Sequence, residues 1–232
     1  MARNRLVWLV CLSILSVLPA SATFVPYSNL TLWEQVTTLS GTVIDFNQEG
    51  PSPGYNGPEM SYFDIGGIRF TSPYSFVQLC NAGDACNWNT GAIIRSTHAD
   101  AGALLVTLTT PATSFSTLMA INNGGTNRDM DIKVYRSGVT LPVWQQTLPT
   151  SASPVPTFFG IVSTIPAETF DSILFTPAPG RALLDNLRLG TYHEPVVEPP
   201  VGDVPELGTG VLSLCGGILL AAGGLRKRLK AS

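Results

Sequence analysis

With 232 residues, only 12% of them charged, and with 22 Gly and 18 Pro, the chain has the balance of many short strands joined by turns rather than of long helices. The formal net charge is −3, yet residues 23–206 hold seven Lys and Arg against sixteen Asp and Glu, a balance of minus nine, and the other six basic residues lie in the two ends. So acidic a body argues against nucleic acid as a partner, because phosphate neutralisation needs clustered Lys and Arg.

Residues 1–22 carry Arg3 and Arg5, then an apolar run over 6–18, then Pro19-Ala20-Ser21-Ala22. A positive start, a short apolar middle and small residues two apart are the pattern of a secretory signal peptide. Ala20 and Ala22 are the small side chains that signal peptidase admits, and cleavage is expected after Ala22. The competing reading is an N-terminal membrane helix, but its apolar run of about thirteen residues falls short of the roughly twenty that a span needs.

Beyond Ala22, short apolar runs alternate with turn residues, and no long helical periodicity intervenes. Strands are predicted at 42–47, 68–71, 75–79, 103–109, 116–121, 131–136, 157–163, 172–175 and 182–189. About nine strands imply an all-β domain over 23–193, a sandwich or a barrel. Ile132-Lys133-Val134-Tyr135-Arg136 alternates cleanly, as a half-exposed antiparallel strand should. Asn122-Asn123-Gly124-Gly125 and the Gly- and Pro-rich stretch 51–58 read as turns.

Two of the four cysteines, Cys80 and Cys86, lie in this region, whereas Cys11 falls in the signal and Cys215 in the C-terminal apolar stretch. In an oxidising compartment the pair is expected to form a disulfide across the flexible Asn81-Ala82-Gly83-Asp84-Ala85. A metal site is the alternative, and it lacks the usual four ligands.

Residues 194–203, with Pro195, Pro199 and Pro200, cannot join a sheet ladder and read as an extended spacer. The segment 204–232 follows: Val204-Pro205-Glu206-Leu207, an uncharged stretch 208–225, then Arg226-Lys227-Arg228-Leu229-Lys230. Eighteen residues as a helix span about 27 Å, enough for a hydrocarbon core, and the basic cluster would hold that end in the cytoplasm.

Pro-Glu, apolar helix and Arg-rich end, in that order, resemble the PEP-CTERM sorting signal. The resemblance implies processing by an exosortase, a membrane enzyme of the cysteine transpeptidase kind. Pro205 and Glu206 match the motif, while Leu207 stands where the family usually has Pro. An uncut tail anchor is the alternative. Val43-Ile44-Asp45-Phe46, Phe158-Phe159-Gly160-Ile161 and Leu184-Asp185-Asn186-Leu187 further resemble the β-sandwich domains found ahead of such tails, jelly rolls of the galactose-binding and carbohydrate-binding-module type. That resemblance covers 36–190, and it implies an antiparallel, jelly-roll-like β-sandwich whose first and last strands bring the Asp45 and Asp185 regions together.

Period two places Asp185 on the face of Leu183, Leu187 and Leu189, where a carboxylate needs a cation or several donors. Calcium is one reading, since jelly rolls of the resembling type often hold structural Ca²⁺ between terminal strands. Backbone amides or an arginine such as Arg181 are the other, and the favoured one, because calcium wants six to eight oxygens. Asp45 is expected to be solvated. His98 with Asp100, and Asp129 with Asp131 in a possible cation loop, have no supporting catalytic or EF-hand pattern. His193 falls at the spacer boundary. Tyr55, Tyr62, Trp88 and Trp144 are candidates for stacking on sugar rings, Trp88 being expected as the most exposed.

The expectation is therefore a non-enzymatic surface or matrix protein. Signal peptidase, an exosortase-like enzyme and the membrane are its expected processing partners, and extracellular polysaccharide is a possible ligand. It would be anchored in the inner membrane before processing and reside at the cell surface or in the matrix afterwards. A secreted carbohydrate-binding module or glycan-active hydrolase is the alternative. A binding module should expose two or more aromatics on one face.

Overall fold

The described residues form fourteen strands and one short helix: β1 Phe24–Tyr27, α1 Leu30–Glu34, β2 Thr37–Leu39, β3 Tyr55–Met60, β4 Tyr62–Ile65, β5 Ile68–Thr71, β6 Val77–Asn81, β7 Ile93–Ser96, β8 Leu104–Ala112, β9 Ser114–Asn122, β10 Arg128–Tyr135, β11 Trp144–Thr150, β12 Thr157–Ser163, β13 Phe170–Ala178 and β14 Arg181–Tyr192. The structure, a computed structural model, describes residues 23–195 apart from 42, 82–85, 87, 89–90, 99–101 and 123–125. The chain divides into a unit Met1–Glu194 and a unit Pro195–Ser232. The expected signal peptide, the spacer beyond Pro195, the Val204-Pro205-Glu206-Leu207 motif and the apolar stretch 208–225 lie outside the described residues. Among the described residues, no helix is long and apolar enough to cross a membrane.

The strands pair antiparallel in two sheets. One runs β1-β12-β9-β14-β7-β6-β3, with β2 also joined to β14, and the other runs β11-β10-β13-β8-β5-β4. The domain is thus an antiparallel β-sandwich, as expected. Its core is the set of alternate residues that each sheet turns inward: Phe70, Leu104, Val106, Ile132, Val134, Ile173 and Phe175 from the six-stranded sheet, against Leu79, Ile94, Phe115, Met119, Phe159, Ile161 and Leu184 from the eight-stranded one. Phe159 is central, with Trp144 at 6.0 Å and Phe175 edge-on at 6.0 Å between ring centroids.

Strand β14, twelve residues long, organises the larger sheet. One of its edges pairs with β9 from Arg181 to Asp185 and again from Arg188 to Gly190; the other is shared by β7 at Leu183 and Leu184, by Ile44, and by β2 at its end. Ile44 and Leu187 exchange both backbone hydrogen bonds at 2.9 Å, so the Asp45 and Asp185 regions do meet.

Two expectations need correction. The run 42–47 is not a strand: Phe46 adopts a left-handed φ of 57°, which ends any ladder, and its ring enters the core against Phe63 and Phe70. Asn47 holds this turn through Oδ1, which accepts the Ala92 amide at 3.0 Å. The second correction concerns β14, where the register shifts between Asp185 and Arg188 and Asn186 adopts a φ of 51°. An extra residue reverses the alternation, so Leu184 and Leu187 both face the core while Leu183 packs on the opposite side. Asp185 therefore shares a face with Leu183 but not with Leu187 and Leu189.

The two sheets differ in what covers their outer faces. Behind the eight-stranded sheet, Trp33 of α1 and Val36 just after it lie over Val162, and Gly160 makes room: a Cβ there would come within 2.6 Å of the Trp33 ring. Asn29 starts this helix by accepting the Leu32 amide. A second patch of the same face is sealed by the expected disulfide, Cys80–Cys86, which packs with Trp88 on Ile93, Ala120 and Leu183. No corresponding cluster is found on the outside of the six-stranded sheet among the described residues.

Candidate functional site

The bare face is built by strict alternation. Where Phe63, Phe70, Val106, Ile173 and Val134 turn inward, their neighbours turn out. Cross-strand register aligns the outward residues into two rows. One is Tyr62, Thr71, Leu105, Leu174, Lys133 and Gln145, from β4 to β11; the other is Asp64, Arg69, Thr107, Ser172 and Tyr135. At the usual strand spacing the longer row extends about 24 Å, the scale of an extended oligomer rather than a small metabolite.

Aromatic rings stand along this face. Tyr62 is 51% exposed, and Tyr74, from the loop between β5 and β6, is 65% exposed. Tyr74 and Tyr135 lie close enough for both phenols to be felt by the Lys133 ammonium. Two ion pairs fix the polar groups between them. Arg69 grips Asp64 with two parallel bonds, Nε to Oδ1 and Nη2 to Oδ2, each 2.8 Å, while its guanidinium carbon lies 4.6 Å from the Tyr62 ring centroid. Lys133 Nζ meets Asp131 Oδ2 at 3.1 Å, and Thr147 donates to Asp131 Oδ1. Between the pairs run two adjoining grooves of about 360 and 460 Å³ that share Thr107 and Leu108, with Leu105, Leu174 and Val139 as apolar floor and rim.

The hydrogen bonds and charge of Arg69 hold the Asp64 carboxyl below its ordinary value, and the Asp131 hydrogen bond holds Lys133 above its own. A lowered carboxylate contributes while ionised and loses that contribution as pH falls through its folded value; a raised ammonium contributes until pH rises through its folded value. Both pairs are therefore intact across the neutral range. Any affinity this face supports is expected to stay flat between about pH 5 and 9, and an acid limb should appear only below that window. Calorimetric affinities across the range check this, and a step near the ordinary histidine value would contradict it.

Not every expected site residue falls here. Trp88, expected as the most exposed aromatic, is 4% exposed: it packs with Cys80 and Cys86 against the sheet and donates its indole N–H to Ser153. Trp144 is half-buried against Phe159 at the edge of the core. Tyr55, 67% exposed, is on β3 of the other sheet. Asp185 is fully buried; its Oδ1 accepts the Asn186 amide at 2.7 Å and its Oδ2 the Asn186 side-chain amide, the backbone-donor alternative to calcium. Asp129 and Asp131 form no cation loop: they are consecutive outward positions of β10, and Asp131 is paired with Lys133. Asp45 accepts the Asn47 amide. His98 lies in the segment after β7, exposed. Tyr74 and Tyr135 were missed; Tyr135 was legible as an outward position of the alternating β10 run, whereas nothing in its sequence context marks Tyr74.

No known family profile matches the chain, and no curated protein matches it. Among solved structures it is similar to a carbohydrate-binding module of family 29, with 17% identity, a TM-score of 0.32 and 67% of this chain covered against 90% of that one. It is similar also to the family 11 module of a cellulosomal cellulase from Clostridium thermocellum, with 11% identity, a TM-score of 0.33 and coverage of 67% and 96%. A family 6 module matches with 17% identity, a TM-score of 0.30 and coverage of 66% and 94%. Overlap at this level carries no functional inference, and the site must be argued from its own residues.

Proposed function

We propose that this protein is an exported, non-enzymatic surface or matrix component whose open six-stranded face holds a polysaccharide strand. One observation carries the reading: of two outer sheet faces, one is covered in two patches, by α1 and by Trp88 with the Cys80–Cys86 bond, while the other presents Tyr62, Tyr74 and Tyr135 beside two fixed ion pairs. Pyranose rings offer apolar C–H faces to aromatic rings and hydroxyls to charged hydrogen-bonding partners, so this mixture suits a glycan better than it suits a purely apolar ligand. Calorimetric titration of the full chain in detergent micelles against soluble polysaccharides tests it. Saturable binding by at least one of them is expected, and no binding to any neutral or acidic polysaccharide would overturn it.

Delivery to the exterior is the second part of the proposal. It is supported by the signal-peptide pattern before Thr23 and by Pro205-Glu206, the apolar stretch 208–225 and its basic end, which together suit a PEP-CTERM-like sorting signal. The Cys80–Cys86 bond fits an oxidising destination. Mass spectrometry of the protein recovered from its native host is expected to find a chain that starts at Thr23 and ends near Pro205 or Glu206. An intact Ser232 end would replace sorting by a simple anchor, and a retained Met1 end would remove export altogether.

A further inference from the structure

On the opposite side of the sandwich, two arginines share one face of the eight-stranded sheet. Arg95 on β7 is registered against Leu183 of β14, so Arg181, two residues back on β14, is its diagonal neighbour on that face. Side chains so placed are within reach of each other across about 7–8 Å. Partial burial and, less strongly, the positive charge of Arg181 disfavour the Arg95 cation, and Glu59 offsets part of this.

Like charges brought together in a half-buried site are costly unless something compensates them. Among the described residues the compensation is incomplete. Arg95 directs Nε and Nη2 to Gln78 Oε1, at 3.0 and 2.6 Å, and its Nη1 is 3.8 Å from the Cys86 sulfur, a weak acceptor. Gln78 is itself pinned, since its amide donates to Gly57 O at 2.7 Å. Arg181 Nε is buried with no hydrogen-bond partner. The nearby carboxylate whose charge Arg95 feels, Glu59, forms no ion pair with either arginine among the described residues. A buried donor of a charged group left without an acceptor is the kind of deficit that a bound anion removes.

We infer that Arg95 and Arg181 form a binding site for a small oxyanion, a sugar carboxylate or a sulfate, on the face opposite the proposed glycan groove. Arg181 supplies a planar fork whose buried Nε has no acceptor among the described residues. Arg95, held in place by Gln78, offers its remaining N–H groups from the side. The Cys86 sulfur, bonded to Cys80, forms one wall of the site.

The test is calorimetric titration of the full chain with sodium glucuronate and with sodium sulfate, with glucose as the neutral control. Saturable binding is expected for at least one anion and not for glucose. Glucuronate alone would identify a sugar carboxylate, and sulfate alone a sulfate group. Arg181→Gln should weaken the anion about tenfold, as the loss of charge-assisted bonds does. Arg181→Lys, which keeps the charge but loses the fork, should fall between. Tyr62→Ala should bind the anion as the parent does, which separates this site from the glycan groove. Equal binding of glucose and glucuronate, no binding of either anion, or unchanged affinity in Arg181→Gln would overturn the inference. Should Arg181→Gln fail to unfold cooperatively, Arg95→Gln carries the same expectation.

Discussion

Replacing Phe175 with Ala is expected to destabilise the sandwich by about 3–5 kcal/mol, the largest effect of any single core truncation proposed for this domain. The ring is fully buried on β13 and meets Phe115 at 6.3 Å and Phe159 at 6.0 Å, both of which come from the other sheet. Removing it strips the two sheets of a shared contact, and strand backbones tied on both sides in a ladder cannot move in to fill the space. Urea denaturation of the full chain measures the loss. Ile132→Val, which deletes one methylene from the same layer, should cost only about 0.5–1.5 kcal/mol and serves as the scale. If Phe175→Ala cost no more than Ile132→Val, the proposed inter-sheet role of the aromatic cluster would be wrong.

The double substitution Tyr62→Ala with Tyr74→Ala is expected to weaken polysaccharide binding by about 2–3 kcal/mol, roughly 30- to 150-fold, while unfolding stability changes little. Both side chains are more than half exposed, so little core packing is lost with them. Removing Tyr62 also uncovers Arg69, but the bidentate bonds of that residue to Asp64 remain. Affinity electrophoresis beside the denaturation curve separates the two readouts. Retained affinity with retained stability would displace the ligand from this face.

Much of this architecture could be read from residue order. Ile132-Lys133-Val134-Tyr135 announces a half-exposed strand because its period is two, and β10 has that burial pattern. Eight of the nine predicted strands correspond to observed ones. Six more, β1, β2, β3, β4, β7 and β11, give no apolar run of strand length because they are short or carry Pro, Gly or polar residues. β3 reads Tyr-Asn-Gly-Pro-Glu-Met and β11 ends Leu-Pro-Thr; as edge strands of their sheets they tolerate proline, since one side of each needs no partner.

Site residues were less legible, for reasons that individual positions make plain. Trp88 follows a turn-rich stretch and is expected outside, yet the indole packs with Cys80 and Cys86 in the cluster that holds Leu183. Asp185 was assigned to the wrong face because one left-handed residue, Asn186, inverts an alternation that looks unbroken in the sequence. Phe46 looked like the end of a strand and is a core plug for the same reason.

By itself the sequence determined the all-β class, the turn-rich connections, the Cys80–Cys86 pair and the acidic character of the domain. These follow from local periodicity and composition, which each segment carries within itself. Only the tertiary structure decided that one outer face is covered in two patches and the other left bare among the described residues, that Tyr62, Tyr74 and Tyr135 share the bare one, and that Arg95 and Arg181 are diagonal neighbours. Faces are set by register between strands far apart in the chain and by single-residue bulges, and a shift of one residue moves every later side chain to the opposite side.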